Sequence, residues 1–322
     1  MPEQTCETEV PPTLSAVVPK FLIYAEAELQ FAPRSLTKYR DCLRQIILML
    51  SDRPVNAYGR DDVLLLKSRM LAKHHSVSRQ VSILSAFKRL LSYCREHEHW
   101  LTLNPETITV PKRPRREVVF LTPEEVARFV GAIPLATSRG KPCADGLRFR
   151  ALVEALLGSA MRISELLSLD QEQVDFCARE AKIIGKGGKE RVVFFSERAT
   201  RWLQQYLKSR NDDHPALFVC RGGNSRLKQP DIWRPFSRYR KKAGLTKPVT
   251  PHLLRHTAAT QLLFNGCPIG HIKEILGHER LETTCRYYLG LDHRAAKQAH
   301  ERYLVYPDEP ASNFNVVTPA LV

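Results

Sequence analysis

Acidic side chains are in short supply. The 322 residues carry 34 aspartates and glutamates against 49 lysines and arginines, a formal net charge of +15. No apolar run approaches the roughly 18–20 residues that a helical membrane span needs, so membrane partners are not expected. The eight cysteines (Cys6, Cys42, Cys94, Cys143, Cys177, Cys220, Cys267 and Cys285) include no CxxC pair, which argues against a zinc knuckle or a redox motif. No signal-peptide pattern precedes them, so they read as reduced thiols of a cytoplasmic protein. The segment GKGGKE lacks the lead and the Ser/Thr of a nucleotide-binding P-loop. His252 and His256 stand four apart, but Leu253 fills the place of the glutamate that a zinc protease needs between them. No carboxylates cluster in the way that holds magnesium for nuclease chemistry. Neither a cofactor nor a metal is expected.

What is present points elsewhere. A hydrophobic content of 43% suffices for real cores, and the length suggests two domains. The cationic surplus works against compactness by self-repulsion. A nucleic-acid backbone is its natural partner, the plain alternative being a merely soluble basic protein.

Residues 1–12 are polar and proline-bearing and read as a flexible arm. Over 13–104 the pattern is helical, evident from Pro19 to about Trp100. Leu36, Tyr39, Leu43, Ile46, Ile47 and Leu50 recur at helical spacing, as do Val77, Val81, Leu84, Phe87 and Leu91. Lys38, Arg40, Arg44, Arg79, Lys88 and Arg89 lie between them, so a helical bundle with a basic, DNA-facing surface is expected; solvated helix charge is the alternative for each. Residues 105–118 read as a basic, extended linker because Pro105, Pro111 and Pro114 break helix and four cations repel one another. A second domain, 119–305, opens at LTPEEV with Thr122 as N-cap, Pro123 in the first turn and Glu125 completing a capping box. An apolar helix is expected over 147–157, and two antiparallel strands around the glycine turn of EAKIIGKGGKERVVFF. Helical patterns resume at 197–209, 231–243, 251–265, 268–276 and 281–288, before a tail, 306–322. The fold class is mainly α with a small antiparallel β-sheet.

The chemistry-bearing residues are cations and hydrogen-bond donors: Arg162 in MRISELLSL, Lys186 in the hairpin, His252 and Arg255 in PHLLRHTAAT, His278 in LGHERLETT. When a nucleophile attacks a phosphodiester, the non-bridging oxygens gain negative charge, and arginine forks and imidazole N–H groups stabilise it. His252 and Arg255 are three apart and share a helix face. LETTCRYYLG supplies Tyr287 and Tyr288. A phenol of pKa about 10 is a poor nucleophile until neighbouring cations favour the phenolate. By spacing alone other roles stay open: Arg162 pairing a buried carboxylate, His278 capping a helix end.

These blocks together (RISELLSL, GKGGKERVV, PHLLRHTAATQLL and ILGHERLETTCRYY) resemble the tyrosine recombinase, or phage integrase, family in its Xer-like two-domain form. The resemblance covers about 119–305; the N-terminal bundle is similar, more weakly, to the family's core-binding (SAM-like) domain. It implies that Arg162 and Arg255 hold the scissile phosphate and that Glu165 orients Arg162. Lys186 would protonate the leaving 5′ oxygen, His252 would transfer protons and His278 would support the phosphate. The family's nucleophile lies nine residues beyond that histidine, at Tyr287. Adjacent helical residues point about 100° apart, so Tyr288 cannot share the role. Lys189 and Arg191 are expected as phosphate contacts. The family's Thr-Gly is replaced by Ser159-Ala160, which removes a flexible turn residue but no catalytic group.

The implied function is site-specific recombination of double-stranded DNA through a 3′-phosphotyrosyl intermediate and a Holliday junction, serving integration, transposition or resolution. Four protomers, identical or paired with a related recombinase, would act on two DNA sites, each clamping the duplex between its domains. A type IB topoisomerase-like enzyme and a DNA-binding protein without catalysis are the alternatives.

Overall fold

The computed structural model of the protein describes residues 11–112, 119–184 and 190–278. The chain divides into two compact units near residue 116. The first is a four-helix bundle of α1 (Leu14–Ala27), α2 (Pro33–Leu50), α3 (Arg60–Ala72) and α4 (Val77–Glu96). Its starts follow capping chemistry. Asp52 accepts from the Ser15 N–H, Pro33 occupies the first turn of α2, and Ser76 accepts from the Arg79 N–H at the head of α4. Phe21, Leu43, Ile46, Leu66, Met70, Ile83, Phe87 and Leu90 form one buried core.

Two details differ from the sequence reading. Helix α1 begins at Leu14, ahead of Pro19, which sits inside it at the cost of one ladder hydrogen bond. The start of the supposed linker belongs to the bundle. Residues Pro105–Thr107 form a 3-10 turn, with Asn104 accepting from the Glu106 N–H at 3.1 Å. Pro105 is buried, Ile108 joins the core, and Thr109 accepts from Lys67 Nζ at 2.8 Å. Proline there opens a 3-10 turn without keeping the chain off the protein.

The second unit contains α5 (Pro123–Gly131), α6 (Ala144–Ser159), α7 (Ile163–Ser168), β1 (Val174–Asp175), β2 (Glu180–Ile184), β3 (Glu190–Phe194), α8 (Glu197–Lys208), α9 (Gln229–Lys242), α10 (Pro251–Phe264) and α11 (Ile269–Leu276). The capping box at the head of α5 forms as read, with Glu125 N–H to Thr122 Oγ1 at 3.2 Å and Thr122 N–H to Glu125 Oε2 at 2.8 Å. Helix α6 is the central strut. Ala151, Leu152, Val153, Ala155 and Leu156 have no exposed surface, so it is covered all round. It lies close to α8 because Gly158 has no side chain: a Cβ there would stand 2.4 Å from Ser196 Oγ and 2.7 Å from Ala199 Cβ. Helix α10 is tied to the entry of the unit by Thr257, whose hydroxyl accepts from the buried Leu121 N–H at 3.0 Å.

The sheet is antiparallel in the order β1-β2-β3. Its register pairs Ala181 with Val193 and Ile183 with Arg191. Cross-strand partners share a face, so Ala181, Ile183, Arg191 and Val193 point inward. Ile184, Val192 and Phe194 face solvent.

Candidate active site

Three segments far apart in sequence meet at the C-terminal end of α11. Arg162 is the N-cap of α7. Its Nη1 donates to Glu165 Oε1 at 2.7 Å, its backbone N–H donates to Glu165 Oε2 at 2.7 Å, and its Nη2 reaches the Gly277 carbonyl at 3.3 Å. Arg255, on α10, is 4% exposed. Its Nη1 donates to the Ala160 carbonyl at 2.7 Å and its Nη2 to the Leu276 carbonyl. The two guanidiniums are thus fixed on consecutive carbonyls, Leu276 and Gly277, immediately before His278. The Arg162 side chain remains 37% exposed and so is open to a ligand.

Local backbone geometry makes this possible. Ala160 adopts the left-handed region, φ 53° and ψ 18°, where glycine is relaxed and alanine costs about 1 kcal/mol. Its carbonyl is the one Arg255 holds. Ser159 keeps the polar function of the preceding position: its hydroxyl accepts from the Met161 N–H at 3.3 Å. Gly277, φ 59° and ψ 49°, closes α11 as a left-handed C-cap and turns the chain into His278.

Glu165 is buried. Burial alone works to raise its pKa, but the Arg162 N–H, the Arg162 guanidinium and the nearby charge of Arg191 outweigh it and hold the carboxyl below its ordinary range. The histidines shift the other way. Desolvation, then the charges of Arg255 and Arg162, lower His252. The same causes, joined by His256 and Arg191, bring His278 down to about 4. His256, 4.6 Å ring to ring from His252, is also held at about 4, by desolvation, His252 and Arg255. At neutral pH these imidazoles are proton acceptors rather than cations.

A pH dependence follows. An unfolded chain protonates its histidines near the ordinary 6.5, whereas folded His256 and His278 resist until about 4. Protons therefore favour the unfolded state between those values, and stability present above pH 6.5 is lost on acidification. The melting temperature should fall between pH 6.5 and 5, by scanning calorimetry, and fall less steeply in His278→Gln. Equal slopes in the two proteins would contradict the assignment.

The structure places the sequence-derived residues unevenly. Arg162, Glu165, His252, Arg255 and His278 all lie in the second unit; the hydrogen bonds above gather Arg162, Glu165 and Arg255 beside His278, and His252 stands on the exposed side of α10 within the influence of both arginines. Lys186, Lys189, Tyr287 and Tyr288 lie outside the described residues. Arg191 does not face solvent: its side chain is 17% exposed, with Nη2 on Glu165 Oε2 at 2.9 Å. Strand alternation turned it inward. The six bundle cations have different surroundings. Lys38 borders a cleft between α2 and α4, where Arg79 Nη1 reaches Cys42 Sγ at 3.7 Å. Arg40 and Arg44 border a different groove, with Val18, Leu22 and Ile47. Lys88 pairs with Glu106 at 3.4 Å, and Arg89 lies 6.0 Å from the Phe31 ring centre. Sequence reasoning missed the carbonyls of Ala160, Leu276 and Gly277. The glycine ending an apolar helical run at 277 was a signal for one of them; nothing in the sequence marks an alanine as left-handed.

No group of three or more potential metal ligands occurs among the described residues. No helix among them is long and apolar enough to cross a membrane.

Paired arginines anchored beside a histidine, on a helical unit with a three-stranded sheet, define an enzyme that handles phosphodiesters. The chain belongs to the phage integrase family, whose pattern matches residues 119–294. It is 31% identical over 255 residues to the tyrosine recombinase XerC of Chlamydia caviae, covering 78% of this chain and 80% of that protein. With XerC of Herpetosiphon aurantiacus it shares 32% identity over 295 residues, 88% of this chain and 94% of the relative. Among solved structures, the Tn1549 transposon integrase in complex with transposon right end DNA superposes with a TM-score of 0.74 at 20% identity, covering 90% and 99% of the two chains. That likeness speaks to the fold.

Proposed function

We propose that this Xer-like tyrosine recombinase cuts and rejoins duplex DNA at a specific site through Tyr287. The phenol oxygen attacks phosphorus, the P–O5′ bond breaks, and a 3′-phosphotyrosyl link forms. The phenol proton passes to His252 and Lys186 protonates the departing 5′ oxygen. The 5′ hydroxyl of a partner strand then attacks the link and releases the tyrosine. One phosphoester is exchanged for another at each step, so no energy source is consumed. Arg162 and Arg255 hold the non-bridging oxygens, and His278 donates a third hydrogen bond to them. Two such rounds pass through a Holliday junction, with four protomers on two sites.

The observation that carries this reading is the seating of Arg162 and Arg255 on the adjacent carbonyls of Gly277 and Leu276. The two cations thereby converge beside His278, nine residues before Tyr287. The test uses a supercoiled plasmid bearing two copies of a duplex that the protein selects from a random-sequence library. Four-way junctions and exchanged products are expected. A relaxation ladder without exchange would instead identify a topoisomerase-like enzyme.

A further inference from the structure

Arg191 joins three parts of the site. It stands on β3, on the inward face opposite Ile183. Its Nη2 bonds Glu165 Oε2 at 2.9 Å, the oxygen that also accepts from the Arg162 backbone at 2.7 Å. Its Nη1 donates to the Ile275 carbonyl at 3.0 Å, with the Glu274 carbonyl at 3.4 Å. Gly277 leaves room for it: a Cβ there would lie 2.2 Å from Nη1 and 2.4 Å from Cζ. One planar fork therefore touches the carboxylate that orients Arg162, the last turn of α11, and the turn that delivers His278. Its own strand, β3, begins four residues beyond Lys186 in the sequence.

We propose that Arg191 is a positioning residue, not a phosphate contact: it holds Arg162, His278 and the β2–β3 hairpin in one register. This rests on the recombinase reading above. The fork geometry is what the role requires. A lysine ammonium carries the same charge, but one nitrogen cannot serve a carboxylate on one side and helix carbonyls on the other. A phosphate contact made through charge alone would tolerate lysine. It would also be visible in binding, because each lost phosphate contact reduces the salt dependence of affinity by about 0.9 in the log–log slope.

The experiment compares wild type with Arg191→Lys, Arg191→Gln and Gly277→Ala on the library-selected duplex, nicked to trap the covalent adduct. Affinity, its salt slope and the single-turnover rate of adduct formation per folded molecule are measured. Both Arg191 variants should bind within about threefold of wild type, with unchanged salt slope. Adduct formation should slow about a hundredfold in both, lysine giving no rescue. Gly277→Ala displaces the guanidinium without removing it and should slow the step in the same direction. The double variant should be no worse than the slower single one. Weaker binding with a shallower salt slope, or rescue by lysine, would make Arg191 a phosphate contact and overturn the proposal. So would a normal adduct rate in the folded fraction of any variant. If wild type binds the duplex but forms no adduct, the recombinase reading itself fails.

Discussion

Tyr287→Phe should abolish the covalent protein–DNA adduct, by more than about a thousandfold, while leaving affinity for the selected duplex within about twofold. The substitution removes one oxygen and keeps the ring, so packing and charge are unchanged. Tyr288→Phe should retain adduct formation, because the nine-residue spacing from His278 that the family resemblance implies falls on Tyr287 and not on Tyr288. Denaturing gels after incubation with a nicked, end-labelled duplex measure both. Adduct formation by Tyr287→Phe, or its loss in Tyr288→Phe alone, would move the nucleophile and undo the assignment by spacing.

The second large effect concerns the two arginines proposed to bind phosphate, which the structure makes unequal. Arg255 is 4% exposed and its two terminal nitrogens bind the Ala160 and Leu276 carbonyls. Arg255→Ala would leave both carbonyls buried without that donor and should lower stability by about 2–5 kcal/mol, besides slowing cleavage about a thousandfold. The Arg162 side chain is 37% exposed. Arg162→Ala should slow cleavage to a similar degree but cost only about 1 kcal/mol of stability, since Arg191 still serves Glu165. Urea denaturation and single-turnover cleavage separate the two quantities. Equal stability losses in the two variants would show that burial does not distinguish them.

Much of this architecture was legible in the residue pattern, for identifiable reasons. The cap of α5 is local chemistry, in which Thr122 and Glu125 satisfy each other's backbone N–H groups. Helices α10 and α11 carry long apolar repeats, and the hairpin announces itself by a glycine turn between β-branched runs. What was not legible was either too short or too distant. Strand β1 spans two residues, Val174–Asp175, below the length at which alternation can be read. Pro19 looked like a start and lies inside a helix. Pro105 and Ile108 looked like the start of a linker and pack into a core. The meeting of Arg255 with the Ala160 carbonyl, 95 residues apart, is a tertiary fact that neither the residue pattern nor the family resemblance anticipated. Arg191 is the instructive case. The family resemblance led to the expectation of a phosphate contact, yet its place between outward-facing Glu190 and Val192 already put it on the inner side of a strand.

The mooring of the arginines on helix ends has a consequence for selectivity. Ala160 caps α6, and Leu276 and Gly277 end α11, so the carbonyls that grip Arg255 and Arg162 sit at the partially negative poles of two peptide-dipole arrays. A fractional charge fixes the Arg255 guanidinium in place without cancelling it, as a full carboxylate partner would; Arg162 is moored on Glu165 as well. Arg255 thus keeps its positive potential, and that potential rewards a guest in proportion to the charge it carries. A pentacoordinate phosphorane, with one more negative charge than the resting diester, is the guest it favours.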